Sequence, residues 1–269
     1  MCAVVLVVST ASAWGRLGHA TVAKIAENHL TKKAKKQITE YMHGESIVKW
    51  ASYADDYKPE LLVDLGFEPS DAKRFITYPH TFEANEDCTP YRVIRKGDKY
   101  VKNCIYYIEK MAEDLKDAEN LSDSVRVASI ALIAHFVGDM HCPVHTKYSV
   151  NEPDLKQRSV KMKGKKMGFH SFWDASVGYY NKGLKCDQIA EKYDTLCGAE
   201  IAAICEGNAN DWAAVNAVEM REIYTLLPMH SEVTEVSEQN HARMKEIAMQ
   251  QALRGGYRLA KVLNEIFSK

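Results

Sequence analysis

Val125-Arg126-Val127-Ala128-Ser129-Ile130-Ala131-Leu132-Ile133-Ala134-His135-Phe136-Val137-Gly138-Asp139 is the stretch that decides the fold. It is apolar almost all the way round, the pattern of a helix buried in a core rather than lying on a surface. The spacing predicts a helix over Ser124–Met140, ended by Pro143, which cannot continue it. His135 and Asp139 stand four apart and therefore share one face. An ionised carboxylate inside so apolar a helix costs several kcal/mol unless it is paired or binds a metal. One such pair fits a hydrogen-bonded core contact as well as it fits a metal ligand set.

A second pair changes the balance. Gly168-Phe169-His170-Ser171-Phe172-Trp173-Asp174 repeats the His–Asp spacing at His170 and Asp174, again among aromatic neighbours. His145 follows on the exit from the first helix. Imidazole nitrogens and carboxylates at helical spacing suit Zn²⁺.

Around these stretches helices dominate. Ala20–Tyr41 reads as one amphipathic helix, with Val22, Ile25, Ala26 and Leu30 on one side. Val101–Leu115, Trp173–Tyr180, Asp187–Ile204, Asn208–Leu226 and Ala242–Phe267 complete the set. Strand signals are confined to Tyr91–Ile94 and Val160–Met162, and an irregular excursion covers residues near 58–100. The fold class is all-α. No linker and no repeat of 20–50 residues interrupts the chain, so a single domain is expected.

The composition agrees. Of 269 residues, 46% are hydrophobic and 26% charged, which excludes a disordered chain. Thirty-five basic residues against 36 acidic ones argue against a duplex-DNA binder with a broad basic face. A protein that meets one phosphate at a time through local charge or metal remains allowed. No apolar stretch approaches the 18 or so residues of a membrane span.

Cys2 to Val8 is a short apolar run followed by Ala11-Ser12-Ala13, an A-x-A cleavage site. Residues 1–13 are read as a signal peptide lacking its usual charged start; a buried amino-terminal strand is the alternative. Cleavage would make Trp14 the first residue of a secreted or periplasmic chain. Loss of Cys2 leaves Cys88, Cys104, Cys142, Cys186, Cys197 and Cys205, an even number for an oxidising compartment. Cys88 with Cys104 is the expected bridge, and two of Cys186, Cys197 and Cys205 the next. Asn120-Leu121-Ser122 is a glycosylation sequon, meaningful only in a eukaryotic secretory route.

Several blocks together carry a resemblance. Trp14-Gly15-Arg16-Leu17-Gly18-His19, Ala51-Ser52-Tyr53-Ala54-Asp55, Pro79-His80-Thr81-Phe82, His135 through His145, and His170 through Asp174 occur in this order. Gly256-Tyr257-Arg258-Leu259-Ala260-Lys261-Val262-Leu263-Asn264 closes the series. In this order the blocks resemble the S1/P1 nuclease family, over essentially all of residues 14–269. That resemblance implies a mostly helical domain of the zinc-dependent phospholipase C type, with three Zn²⁺ in a cleft. It assigns Asp55, His80, His135 and Asp139 to one zinc. Asp139 bridges to a second, completed by His19 and by the free amine and carbonyl of Trp14, and His145, His170 and Asp174 hold the third. An amine donates a lone pair only as a terminus, so the uncleaved chain is expected to lack one metal.

The activity implied is that of a phosphodiesterase. A hydroxide held between metals attacks phosphorus, with Asp55 orienting it, and Lys58 lies where the family places a cation near the phosphate. Expected substrates are single-stranded DNA or RNA, cut to 5′-phosphate products, and 3′-nucleotides; the expected state is a monomer. Recognition of the base departs from the family pattern. Thr81 stands where a bulky apolar residue is usual, with Phe82 after it and the acid kept as Glu83, a candidate substrate contact. No Gly-Gly-Asn turn occurs between His145 and His170. Lys156, Arg158, Lys161, Lys163, Lys165 and Lys166 form a basic run that reads either as a lip for polyanions or as a solvated loop. A phosphodiesterase for lipid head groups and a non-catalytic zinc-stabilised binding protein are the alternatives. His29, His43, His141, His230 and His241 are expected in surface or supporting roles, and Trp50, Trp173 and Trp212 in the core.

Overall fold

The computed structural model describes residues 14–56, 80–96, 99–148, 159–162, 164–226 and 233–268. Helices carry this architecture, and the strands are short.

At the centre lies the helix Asp123–Met140, buried along its whole length from Ala128 onward. Ser122 caps its start, the hydroxyl accepting from the Val125 amide, and Asp123 adds a favourable charge in the first turn. Its predicted bounds hold to within one residue. Packed against it are α1 (Arg16–Asn28), a helix over Cys104–Asp114, and the long closing helix Glu238–Phe267. In chain order the helices are α1, α2 (Lys32–Tyr41), α3 (Ile47–Trp50), α4 (Tyr53–Asp56), α5 (Cys104–Asp114) and α6 (Asp123–Met140). After these come α7 (Phe169–Tyr180), α8 (Cys186–Tyr193), α9 (Gly198–Ile204), α10 (Ala209–Thr225) and α11 (Glu238–Phe267).

Two expected helices are each divided. Ala20–Tyr41 breaks at residues 29–31, because local caps compete with helix continuation. Thr31 caps α2 by accepting from the Ala34 amide, and Asn264 of α11 binds the Thr31 amide and the His29 carbonyl. The His29 ring is pinned by Asp194 at 2.9 Å. Asp187–Ile204 breaks likewise before Gly198, where the Glu200 carboxylate accepts from the Cys197 amide at 2.8 Å. Caps satisfy the orphan backbone groups that a helix end would otherwise leave bare.

The closest helix contact is between α1 and α11. A Cβ on Gly256 would lie 2.5 Å from Ile25 Cβ, so only glycine permits this approach. Trp173 and Trp212 are buried as expected, whereas Trp50 is only partly so.

The described strands are short and form three small sheets. Val93–Lys96 (β2) pairs with Lys99–Lys102 (β3), and Ser159–Met162 (β5) with Lys165–Gly168 (β6) and Val233–Glu235 (β7). Of the described strands only β2 and β5 overlap the expected ones; among the others, Phe82–Ala84 (β1) pairs in parallel with Thr146–Tyr148 (β4), Phe82 opposite Thr146. Both are only three residues long, too short for an alternation signal. None of the described helices is long and apolar enough to cross a membrane.

A candidate metal centre

Six segments converge on one buried point. Glycine at position 15 donates its amide to the Asp174 carbonyl at 2.6 Å, tying the chain beside Trp14 to α7. One turn later α1 presents His19. The end of α6 presents His135 and Asp139. Next comes a single 3₁₀ turn, Pro143–His145, that starts at Pro and delivers His145. The parallel register of β1 and β4 places His80, just before β1, beside His145, just before β4; their rings lie 5.1 Å apart.

Asp139 is the hub, with no exposed surface. His19 Nε2 lies 3.2 Å from its Oδ1 and His135 Nε2 3.0 Å from its Oδ2. The His19 and His135 rings stack at 4.2 Å. Asp55, on α4, joins them: one ligand atom each from His19, Asp55 and His135 fall within 4.8 Å of one another. On the other side, His145 Nδ1 is 3.8 Å from Asp139 and its Nε2 3.9 Å from Asp174. His170 Nε2 stands 3.5 Å from Asp174, one turn along α7. The sequence-derived donors among the described residues thus lie in one chain of contacts from Asp55 to His170. Exposure rises towards His170, whose side chain is 15% exposed, so the cluster opens on that side.

Supporting contacts orient the donors. His135 Nδ1 donates to the Ala51 carbonyl at 3.0 Å, which leaves the Nε2 lone pair for the cluster. His141 lies fully buried rather than at the surface, one residue beyond α6. Its Nδ1 meets the Val137 carbonyl at 2.7 Å and its Nε2 accepts from Arg258 at 2.8 Å. Arg258 also donates to Asn216 and the Ile204 carbonyl, and Asn216 to the Met140 carbonyl, so the C-terminal end of α6 is fixed by α10 and α11. His29 and His43 pair with Asp194 and Asp123, far from this point in sequence and role.

Burial and the charges of the neighbouring donors together set the protonation of this cluster. Burial pushes Asp174 up to about 9, and the charges of Asp139 and Asp55 add to it. Burial works against the charge on His135 too, but Asp139 and then Asp55 outweigh it and raise the imidazole to about 9. Asp139 itself, despite burial, is held well below the usual carboxylate range by His135 and His19. Burial keeps His145 neutral. Neither oxygen of Asp139 has a hydrogen bond of good geometry, and neither ring nitrogen of His145 has any hydrogen-bond partner. Buried polar atoms are nearly always satisfied, so these need something more than protein. A divalent cation fits: it supplies partners for the stranded lone pairs and reverses the charge repulsion that protonates Asp174.

One further donor was not legible as such. Cys142, between His141 and Pro143, puts its thiol 3.9 Å from Asp174 Oδ1, and one ligand atom each from Cys142, His145 and Asp174 fall within 4.8 Å of one another. Burial, then Asp174 and Asp139, push that thiol up. The expected disulfides are not formed: Cys88, Cys104, Cys186, Cys197 and Cys205 are all free. Cys104 opens α5 deep in the core and Cys88 occupies a tight turn with φ of 68°, each held by its own local structure.

Matched against known proteins, residues 14–268 fit the family model described as S1/P1 nuclease. The chain belongs to the S1/P1 nuclease family. It is 24% identical to Endonuclease 2 of Arabidopsis thaliana, over 94% of this chain and 90% of that protein. To Nuclease P1 of Penicillium citrinum it is 26% identical, over 60% of this chain and 57% of the fungal enzyme. Nuclease S1 of Aspergillus oryzae matches at 24%, over 68% of this chain and 61% of its own length. Membership in the S1/P1 nuclease family makes this chain a hydrolase acting on phosphodiester bonds.

The substrate side is less fully placed. Thr81 is buried and Phe82 fully so, part of the core rather than an open platform. Glu83 is half-buried in β1, opposite Lys147, and burial raises its carboxyl despite that lysine. Lys58, His230, Lys156, Arg158 and Lys163 lie outside the described residues, as does the rest of 149–158. Of the basic run, Lys161 faces Lys166 across the β5–β6 hairpin and bridges Glu235 at 3.2 Å. One of its charges is therefore locally balanced.

Proposed function

We propose that this chain is an exported, zinc-dependent nuclease that hydrolyses single-stranded nucleic acids and 3′-nucleotides at a three-zinc centre, leaving 5′-phosphates on cut strands. The observation that carries the reading is the convergence of His19, Asp55, His135, Asp139, His145, His170 and Asp174 on one buried cluster, in which the Asp139 oxygens and the His145 ring nitrogens have no hydrogen bond. Endonuclease 2, nuclease P1 and nuclease S1 carry their activity in their names, and each is related to this chain.

In this reading Asp139 would serve two ions. His135, His80 and Asp55 would complete one set of donors, and His19 with the amine and carbonyl of Trp14 the other; His145, His170 and Asp174 would hold a third ion. Zinc bound in such a set supplies Lewis acidity, activating water near neutral pH and neutralising phosphate charge. The protein does the rest. Asp55 is the least buried carboxylate of the cluster, placed to accept a hydrogen bond from the attacking water and fix its line of approach. The Ala51 carbonyl keeps His135 in the one tautomer that can serve. Lys58, three residues past Asp55, supplies a cation for the phosphate, and Glu83 a polar contact to the substrate. Export follows from the same logic, because cleavage after Ala13 is what frees the Trp14 amine.

Metal analysis of protein beginning at Trp14, with a panel of single-stranded DNA, 3′-AMP and phosphatidylcholine, tests this. About three zinc per chain with hydrolysis of the first two is the expected result. Cleavage of the lipid alone would move the substrate class to head groups. Metal-replete protein inert on all three would leave a zinc-stabilised binding protein. Full activity in His135→Ala would remove the metal mechanism altogether.

A further inference from the structure

The turn that delivers His145 delivers a second donor that no ligand assignment uses. The Cys142 amide donates to the Asp139 carbonyl at 2.9 Å, and the Cys142 carbonyl accepts from the His145 amide at 2.9 Å. Cysteine and histidine thus stand three apart on one turn, a spacing common between zinc donors. The thiol has no exposed surface and no cysteine partner among the described residues, and it lies 3.9 Å from Asp174. His145 turns Nε2 towards Asp174 and Nδ1 towards Asp139, and neither nitrogen has a hydrogen-bond partner among the described residues. Its Nε2 is also 3.9 Å from Asp174, and one ligand atom each of Cys142, His145 and Asp174 come within 4.8 Å of one another. Donors sharing one tetrahedral zinc at 2.0–2.3 Å stand roughly 3.3–3.8 Å apart. Shifts of up to about 1 Å therefore close this group onto a single ion.

We propose that Cys142 is a fourth protein ligand to the ion held by His145, His170 and Asp174, an inference that rests on the metal-centre reading above. On binding, the S–H bond breaks, a sulfur–metal bond forms, and the proton leaves to solvent. Two consequences follow. One nitrogen–oxygen site becomes partly soft and discriminates for zinc, cobalt or cadmium against magnesium or manganese. A fourth protein donor also strengthens the hold on the ion, so the one beside His170 would be the most tightly retained of the three.

X-ray absorption at the zinc edge of the metal-loaded wild-type protein reads this without any variant. About one sulfur per three zinc at roughly 2.3 Å is expected. Cobalt-substituted protein should show a sulfur-to-cobalt charge-transfer band, lost in Cys142→Ser. The same variant should bind one zinc about 10–100-fold more weakly in competition with a chelator. A sulfur-free shell at full zinc occupancy, or sulfur that persists in Cys142→Ser, overturns the role of Cys142 and leaves the metal centre standing. Protein that binds no zinc overturns both. Should Cys142→Ser fail to fold, the wild-type zinc and cobalt spectra still decide.

Discussion

The imidazole of His19 rests on the backbone of Gly138: a Cβ at that position would lie 2.8 Å from His19 Nδ1 and 3.2 Å from Cε1. Gly138 precedes the hub carboxylate, so α1 and α6 can bring His19 to Asp139 only because no side chain intervenes. Gly138→Ala should leave the helices in place, since alanine favours a helix interior by up to about 1 kcal/mol over glycine. It must push His19 away from Asp139. Circular dichroism unchanged, with loss of about one zinc and at least about tenfold weaker retention against chelator, is the expected pairing of results. Wild-type zinc content in that variant would show that His19 is not a ligand.

That glycine also marks the limit of what could be read in the chain. The His–Asp spacings at 135/139 and 170/174 locate two clusters because helical period is local, and α6 reads almost to the residue. What joins the clusters is not local. His80 reaches His145 through a parallel pair of three-residue strands separated by over sixty positions, and no short-range pattern announces it. The break after α1 has a related reason: Asn264 and Asp194, far along the chain, hold residues 29–31. Cys142 stood inside a quoted motif yet was counted with the disulfides, because cysteine number speaks to compartment while only geometry shows what a thiol faces.

The cluster's protonation gives a pH prediction whose sign can be worked out. Without metal, folded His135 and Asp174 keep their protons to about pH 9, whereas unfolded chains release them near 6.5 and 3.8. From pH 7 to 9 the folded protein therefore binds more protons than the unfolded one, and stability falls as pH rises. The buried thiols of Cys104 and Cys142, both pushed up, act in the same direction at the alkaline end. His145 and His141, held neutral by burial, act oppositely, but only below their usual range near 6.5. Metal must displace the two retained protons, so zinc affinity rises over the same interval. Chelator-treated protein should have a lower Tm at pH 9 than at pH 7, with the gap to zinc-loaded protein widening. An apoprotein Tm that climbs across this interval contradicts the assignment.

Arg258 sits far from the reaction but controls the end of α6. Its guanidinium is almost wholly buried, donates to His141 Nε2, Asn216 Oδ1 and the Ile204 carbonyl, and faces Trp212 at 5.5 Å. Replacing it with methionine keeps the volume and strands three acceptors, each costing about 1 kcal/mol or more. Arg258→Met should lower stability by about 2–4 kcal/mol in denaturant unfolding. Zinc-loaded protein should lose less than metal-free protein, because the ions brace the same segment. Equal losses in the two forms would mean that this network and the metal centre are independent.

Trp14 offers the sharpest test of how the chain is processed. Its side chain is fully buried, and the next residue is bonded to Asp174, so position 14 is fixed against the metal-donor residues wherever the chain begins. A backbone nitrogen engaged in a peptide bond has no lone pair to give, whereas a terminal amine does. Protein beginning at Trp14 should therefore bind one zinc more than the same protein carrying Ala13 ahead of it. The two should share their circular dichroism, because the donors from side chains are unchanged. Activity of the extended form should fall by at least about a hundredfold if its missing ion belongs to the pair that shares Asp139. Equal zinc counts in the two forms would take the Trp14 amine out of the ligand set and remove the link between export and activity.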